Sequence, residues 1–97
     1  MLNSKQRAYL KSISNNMDSI FQIGKGGISP EFIKALDEVL EARELIKCNI
    51  LNNCTEDIKY IASVISERTQ SDIVQIIGKK IIIYRKSKEK PTIKLPK

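Results

Sequence analysis

Three of the four glycines in this chain fall within four positions, in the stretch QIGKGGISPE at Gln22–Glu31. Glycine lets a ligand reach the backbone without meeting a Cβ. The next residues, Ser29-Pro30-Glu31, read as a helix start, with serine as cap, proline at the first helical position and glutamate against the positive helix end. Unpaired N–H groups at such an end favour an anion, most often phosphate, and Lys25 adds a full positive charge at the tip. The stretch fits neither common nucleotide loop. A Walker loop needs Ser or Thr after the lysine, where Gly26 stands, and a glycine five residues before Gly24, which is missing. The dinucleotide fingerprint needs glycine at 29, where Ser29 stands. What remains is G-x-x-G, Gly24-Lys25-Gly26-Gly27, the pattern with which KH domains clamp a nucleic-acid backbone. Alone it is a weak pattern that also occurs in plain turns.

Other residues narrow the chemistry further. The chain has no histidine, the commonest general base near neutral pH. Cys48 and Cys54 are separated by five residues, which matches no zinc spacing, so two reduced thiols are expected. Asp37, Glu38 and Glu41 have no nucleophile or metal-ligand spacing beside them. The sequence therefore predicts no catalysis, no metal and no cofactor. Its net charge is +6 over 97 residues, and the charge is split along the chain. Residues 1–27 sum to +3, 28–72 to −4 and 73–97 to +7. Such a chain can fold into a dipolar object with one face for polyanions. The plain alternative is a solvated surface with a loose basic tail.

The elements that must hold these residues follow from periodicity. Asn3 or Ser4 caps a first helix, with Gln6 in capping-box position and Leu10 and Ile13 on its buried side. Ser19–Ile23 reads as a short strand, suited to a sheet edge, that flows into the glycines. A second helix runs from Pro30 to about Arg43, burying Phe32, Leu36, Val39 and Leu40. Leu45–Leu51 alternates as a strand, with Ile46, Cys48 and Ile50 on one face. Asn52-Asn53 turn the chain, and Thr55 caps a third helix to about Thr69, with a stripe of Ile58, Ile61, Ala62 and Ile65. Ile73–Ile77 and Lys80–Arg85 then form a hairpin around Gly78-Lys79. The order α-β-α-β-α-β-β implies an α+β domain of two layers, a four-stranded mixed sheet with helices packed against it. Residues 1–86 make the domain and 87–97 an extended, flexible basic tail. No apolar run approaches the ~20 residues of a membrane span, and a cytoplasmic protein is expected.

SKQRAYLKS, QIGKGGISPEFIKALDEVLEARELIK and VQIIGKKIIIYRKSKEKP together resemble the YhbY-like family, single-domain members of the CRM group (chloroplast RNA splicing and ribosome maturation). The likeness covers nearly the whole chain in order. It implies the same α-β-α-β-α-β-β fold, akin to the C-terminal domain of a bacterial initiation factor. It also implies RNA binding, as an assembly factor for precursors of the large ribosomal subunit. The family loop often reads G-K-N-G, so Gly26 replaces an asparagine. The matching basic positions are Lys5, Arg7 and Lys11 in the first helix and Arg85, Lys86 and Lys88 after the last strand. Lys79, at the hairpin tip, either only turns the chain or adds a cation beside the glycines. The candidate RNA-binding set is therefore Gly24, Lys25, Gly26, Gly27, Lys5, Arg7, Lys11, Lys79, Arg85, Lys86 and Lys88. With no paired aromatic platform, recognition of backbone and shape with little base stacking is expected. RNA is the expected partner. A second reading is a protein-interaction module, with Asp37, Glu38 and Glu41 docking basic ribosomal proteins. Neither reading includes a membrane or a small-molecule substrate.

Overall fold

The computed structural model describes residues 2–97 and follows the expected element order. Helix α1, Ser4–Ser14, opens with a complete capping box: the Asn3 side chain accepts from Gln6 N at 2.8 Å, and Gln6 Oε1 accepts from Asn3 N at 3.1 Å. Strand β1 is only Phe21–Ile23. Helix α2, Pro30–Arg43, starts as read, with the Ser29 hydroxyl accepting from Phe32 N at 3.1 Å. Strand β2 covers Leu45–Ile50. Helix α3, Ile58–Thr69, begins later than expected. Its cap is Asp57 rather than Thr55, because the turn after β2 runs on to Asp57. Strands β3, Asp72–Ile77, and β4, Lys80–Tyr84, close the sheet around Gly78, whose φ of +56 favours glycine.

The sheet order is β1-β2-β4-β3. Strand β1 pairs in parallel with β2, while β4 lies antiparallel between β2 and β3. Strands β1, β2 and β3 thus point the same way, and β1 is an edge strand, both as expected. Strand alternation then divides the core. Ile46, Cys48, Ile50, Ile81 and Ile83 face α2 and α3, meeting Leu36, Leu40, Ile61 and Ile65. Phe21 and Phe32 pack edge to face at the rim, with ring centres 5.4 Å apart. Burial among these side chains pushes the Cys48 thiol up to about 12, and both cysteines are free.

Helices α2 and α3 thus form a layer on one face of the sheet. The structure adds a thinner covering on the opposite face, where Leu45, Val74, Ile82 and Tyr84 meet Leu2 and Leu10 and are flanked by Ile13, Ile93 and Leu95. Residues 93 and 95 belong to the segment read as a loose basic tail. That segment has no regular secondary structure, but it is tied down. The Glu44 carboxylate accepts from Ser87 N at 2.8 Å, Thr92 N at 2.6 Å and Ile93 N at 2.9 Å. Glu41 accepts from the Ser87 hydroxyl at 2.7 Å and from Lys88 N at 3.1 Å. Two carboxylates at the end of α2 therefore satisfy a run of tail amides that the charge pattern alone had assigned to solvent.

Candidate nucleic-acid interface

Strand direction decides which loops can meet. Ile23 pairs with Ile50, and Lys80 pairs with both Asn49 and Ile77. The glycine turn after β1, the Asn52-Asn53 turn after β2 and the Gly78-Lys79 tip after β3 therefore lie at one end of the sheet. Backbone bonds lace them together: Leu51 N donates to Ile23 O at 2.8 Å, and Ile50 N to Lys79 O at 2.7 Å. The Lys79 ammonium also donates to the Asn52 side chain. Helices α2 and α3 both begin at this end, so their positive N-terminal ends add to Lys25, Lys79 and Lys80.

Within the turn the glycines differ. Gly27 N donates to Gly24 O at 3.0 Å, closing the loop around Lys25 and Gly26. A Cβ on Gly24 would lie 3.1 Å from Asn53 Oδ1 and 3.3 Å from Leu51 Cδ1, so Gly24 lets the first two loops pack together. Gly27 has φ of +65, a conformation open to glycine at little cost. A Cβ on Gly26 would meet nothing within 4 Å, so that position faces open space. Lys25 is exposed beside it.

The remaining cations are placed elsewhere. Arg7 is half-buried, and its guanidinium donates to Ile73 O and Val74 O, at 2.5 and 2.9 Å, where the β3–β4 register shifts. It fastens α1 to a sheet edge. Lys5 and Lys11 share that helix, on the face of the sheet away from α2 and α3. Arg85 pairs with Asp37 and donates to Thr69 O at 2.8 Å and Asp37 O at 2.9 Å. Arg85, Lys86 and Lys88 follow the C-terminal end of β4, beside Leu45 and Asp72. Four residue steps of about 3.3 Å along β4 set that end roughly 13 Å from Lys80. The structure thus brings Gly24–Gly27, Lys25 and Lys79 together, adds Lys80, and leaves the two other basic groups apart from them.

Sequence reasoning missed a cleft beside the turn. Ile28, Ser29, Pro30 and Ile33 form one wall, and Glu56, Tyr60, Val64 and Arg68 the other, around about 220 Å³. Tyr60 is 58% exposed. From Glu56, just ahead of α3, the second wall repeats every four residues through Tyr60, Val64 and Arg68 on the helix, a stripe complementary to the apolar one read from the sequence, and it could have been found there. Among the described residues no helix is long and apolar enough to cross a membrane.

Comparison with known proteins agrees with this architecture. A family model described as the CRS1 / YhbY (CRM) domain matches residues 2–85. The chain is 45% identical over 96 residues to "Probable RNA-binding protein YqeI" of Bacillus subtilis, covering 99% of this chain and 100% of that one. It is 28% identical over 96 residues to an "RNA-binding protein" of Haemophilus influenzae, covering 99% and 96%. The solution structure of SAV1595 from Staphylococcus aureus, a hypothetical protein described as a candidate RNA binder, superposes with a TM-score of 0.81. It shares 53% identity and covers 99% of this chain and 100% of its own. With a matching model over most of its length and a relative this similar along its whole length, the chain belongs to the CRS1 / YhbY (CRM) domain family.

Proposed function

We propose that this protein binds RNA through the loop end of its sheet and acts without catalysis in the cytoplasm, as an assembly factor on ribosomal RNA of the large-subunit precursor. The observation that carries the reading is the grouping of the open glycine turn with Lys25, Lys79 and Lys80 where two helices begin. Backbone N–H groups, helix ends and ammonium groups of that kind suit phosphate oxygens. The names of the relatives support the ligand class, and the family resemblance supports the ribosomal target.

The competing reading, a protein-docking surface on the acidic side of α2, loses ground. Asp37 is paired with Arg85, and Glu41 is occupied by the tail, which leaves Glu38 of the three. The test is Lys25→Glu assayed on fragments of large-subunit ribosomal RNA by titration at several salt concentrations. Lys25 is exposed, so the variant is expected to melt with the wild type. It is expected to bind at least tenfold more weakly, and the slope of log K against log salt should flatten by about 0.7–0.9 for each phosphate that is no longer neutralised. Equal binding by the two proteins would remove the glycine turn from the site. Crosslinking in cells, with enrichment on large-subunit precursor RNA, tests the target.

A further inference from the structure

We propose that the cleft between α2 and α3 seats an unpaired RNA nucleotide whose base stacks on Tyr60, next to a phosphate held by the glycine turn. The inference rests on the RNA-binding reading above and gives it a substrate class: single-stranded, or bulged and looped, rather than closed duplex.

Chain connectivity joins the cleft to the turn. Ile28 and Ser29, which form one wall, directly follow Gly27. Glu56, on the other wall, brings Oε1 within 3.4 Å of the place where a Gly27 Cβ would stand. The cleft and the turn are therefore one continuous surface, and a nucleotide with its phosphate on the turn has its base at the mouth of the cleft. The size is also suitable. At about 220 Å³ the cleft is smaller than the ~300–1,000 Å³ of a site for a drug-sized ligand, and suits one flat ring system.

The lining supplies the chemistry. Ile28, Ile33 and Val64 are apolar, and Tyr60, one helical turn before Val64 in the same stripe, is 58% exposed as a residue and brings an aromatic ring to the lining. An aromatic ring left open at the edge of a cleft with both apolar and polar walls is a stacking platform for any base. The Glu56 carboxylate accepts only, so it favours a base edge rich in N–H donors, and guanine, with an imino and an amino group side by side, fits it best. Arg68 stands eight residues beyond Tyr60, about 12 Å along the helix, where its guanidinium can take the next phosphate or stack on the next base. A duplex, with its bases already paired and stacked, offers nothing to this cleft.

The experiment compares wild type, Tyr60→Ala, Tyr60→Phe and Lys25→Glu by fluorescence anisotropy on two labelled RNAs, a hairpin with a guanine-containing single-stranded loop and a blunt duplex of the same length. Wild type is expected to prefer the hairpin. Tyr60→Ala should weaken hairpin binding at least fivefold with an unchanged salt slope, while Tyr60→Phe keeps it. Duplex binding should be the same for the wild type and the two Tyr60 variants. A second readout comes from the absence of tryptophan, since tyrosine emission is then visible. Hairpin RNA should quench it in the wild type and quench it less in Tyr60→Ala. If Tyr60→Ala binds the hairpin as the wild type does while Lys25→Glu is impaired, the cleft proposal falls and the glycine-turn reading stands. If the wild type binds neither RNA, both fall together.

Discussion

At the residue scale, the glycine cluster resolves into separate physical demands. Gly27 is required by its own backbone, Gly24 by its neighbours, and Gly26 by neither. Gly27→Ala is expected to lower stability by about 1–2 kcal/mol, the cost of a left-handed L-residue, read as a lower midpoint in urea denaturation. Gly26→Asn should show a midpoint within error of the wild type, because the new side chain enters open space. The sequence made the turn and its lysine visible because glycine, proline and serine carry strong local rules. It could not separate the glycines, since the atoms that crowd Gly24 belong to Leu51 and Asn53, more than twenty-five residues away. The same limit applies to Arg7 and Arg85. Both look like surface cations by type, yet each spends its donors on carbonyls that only the folded sheet and helices bring near.

At the scale of elements, helix and strand order was legible because apolar periodicity is local, and the strand directions followed from the crossovers. The tail was not legible. Its lysines suggested a solvated segment, whereas its backbone amides and the side chains of Ile93 and Leu95 bind it to the body. Two carboxylates carry that attachment. The Ser87 hydroxyl, followed by the amides of Lys88 and Glu89, holds the Glu41 carboxyl down to about 2 from the usual 4.5. Burial alone would raise Glu44, but the amides of Ile93, Ser87 and Thr92 outweigh it and lower the carboxyl below its usual range. Each group therefore takes up a proton more readily unfolded than folded. The Glu41 contribution is fully present above about pH 4.5 and is lost as pH falls through about 2, and that of Glu44 is likewise lost on acidification below its usual range. Melting measured down this range should fall more steeply for the wild type than for Glu44→Gln. At neutral pH, Glu44→Gln should cost about 2 kcal/mol, and its Ser87, Thr92 and Ile93 amides should exchange hydrogen faster.

At the scale of the molecule, the split charge does not fold into one basic face. The glycine turn and its lysines occupy one end of the sheet, and Lys86 and Lys88 the other, in a body 39 Å along its longest axis. A reversal at Lys88 is therefore expected to weaken RNA binding less than the reversal at Lys25, in the same salt titration. Any contribution from Lys88 should act as a general attraction that fades as salt rises. One-dimensional charge sums could not reveal this arrangement, because the antiparallel return of β4 carries the C-terminal lysines away from the loops.

Glu44 shows how narrowly one position can be defined. Its φ of 68 suits glycine, while its side chain has to reach the amides of Ser87, Thr92 and Ile93 and the Thr92 hydroxyl. A glycine would relax the main chain and strand those donors. An asparagine tolerates the turn better than most residues but is one methylene shorter and brings an N–H group where only acceptors are wanted. Drift at this site is closed in both directions, so in related chains a change at 44 should travel with a change in the segment that wraps it.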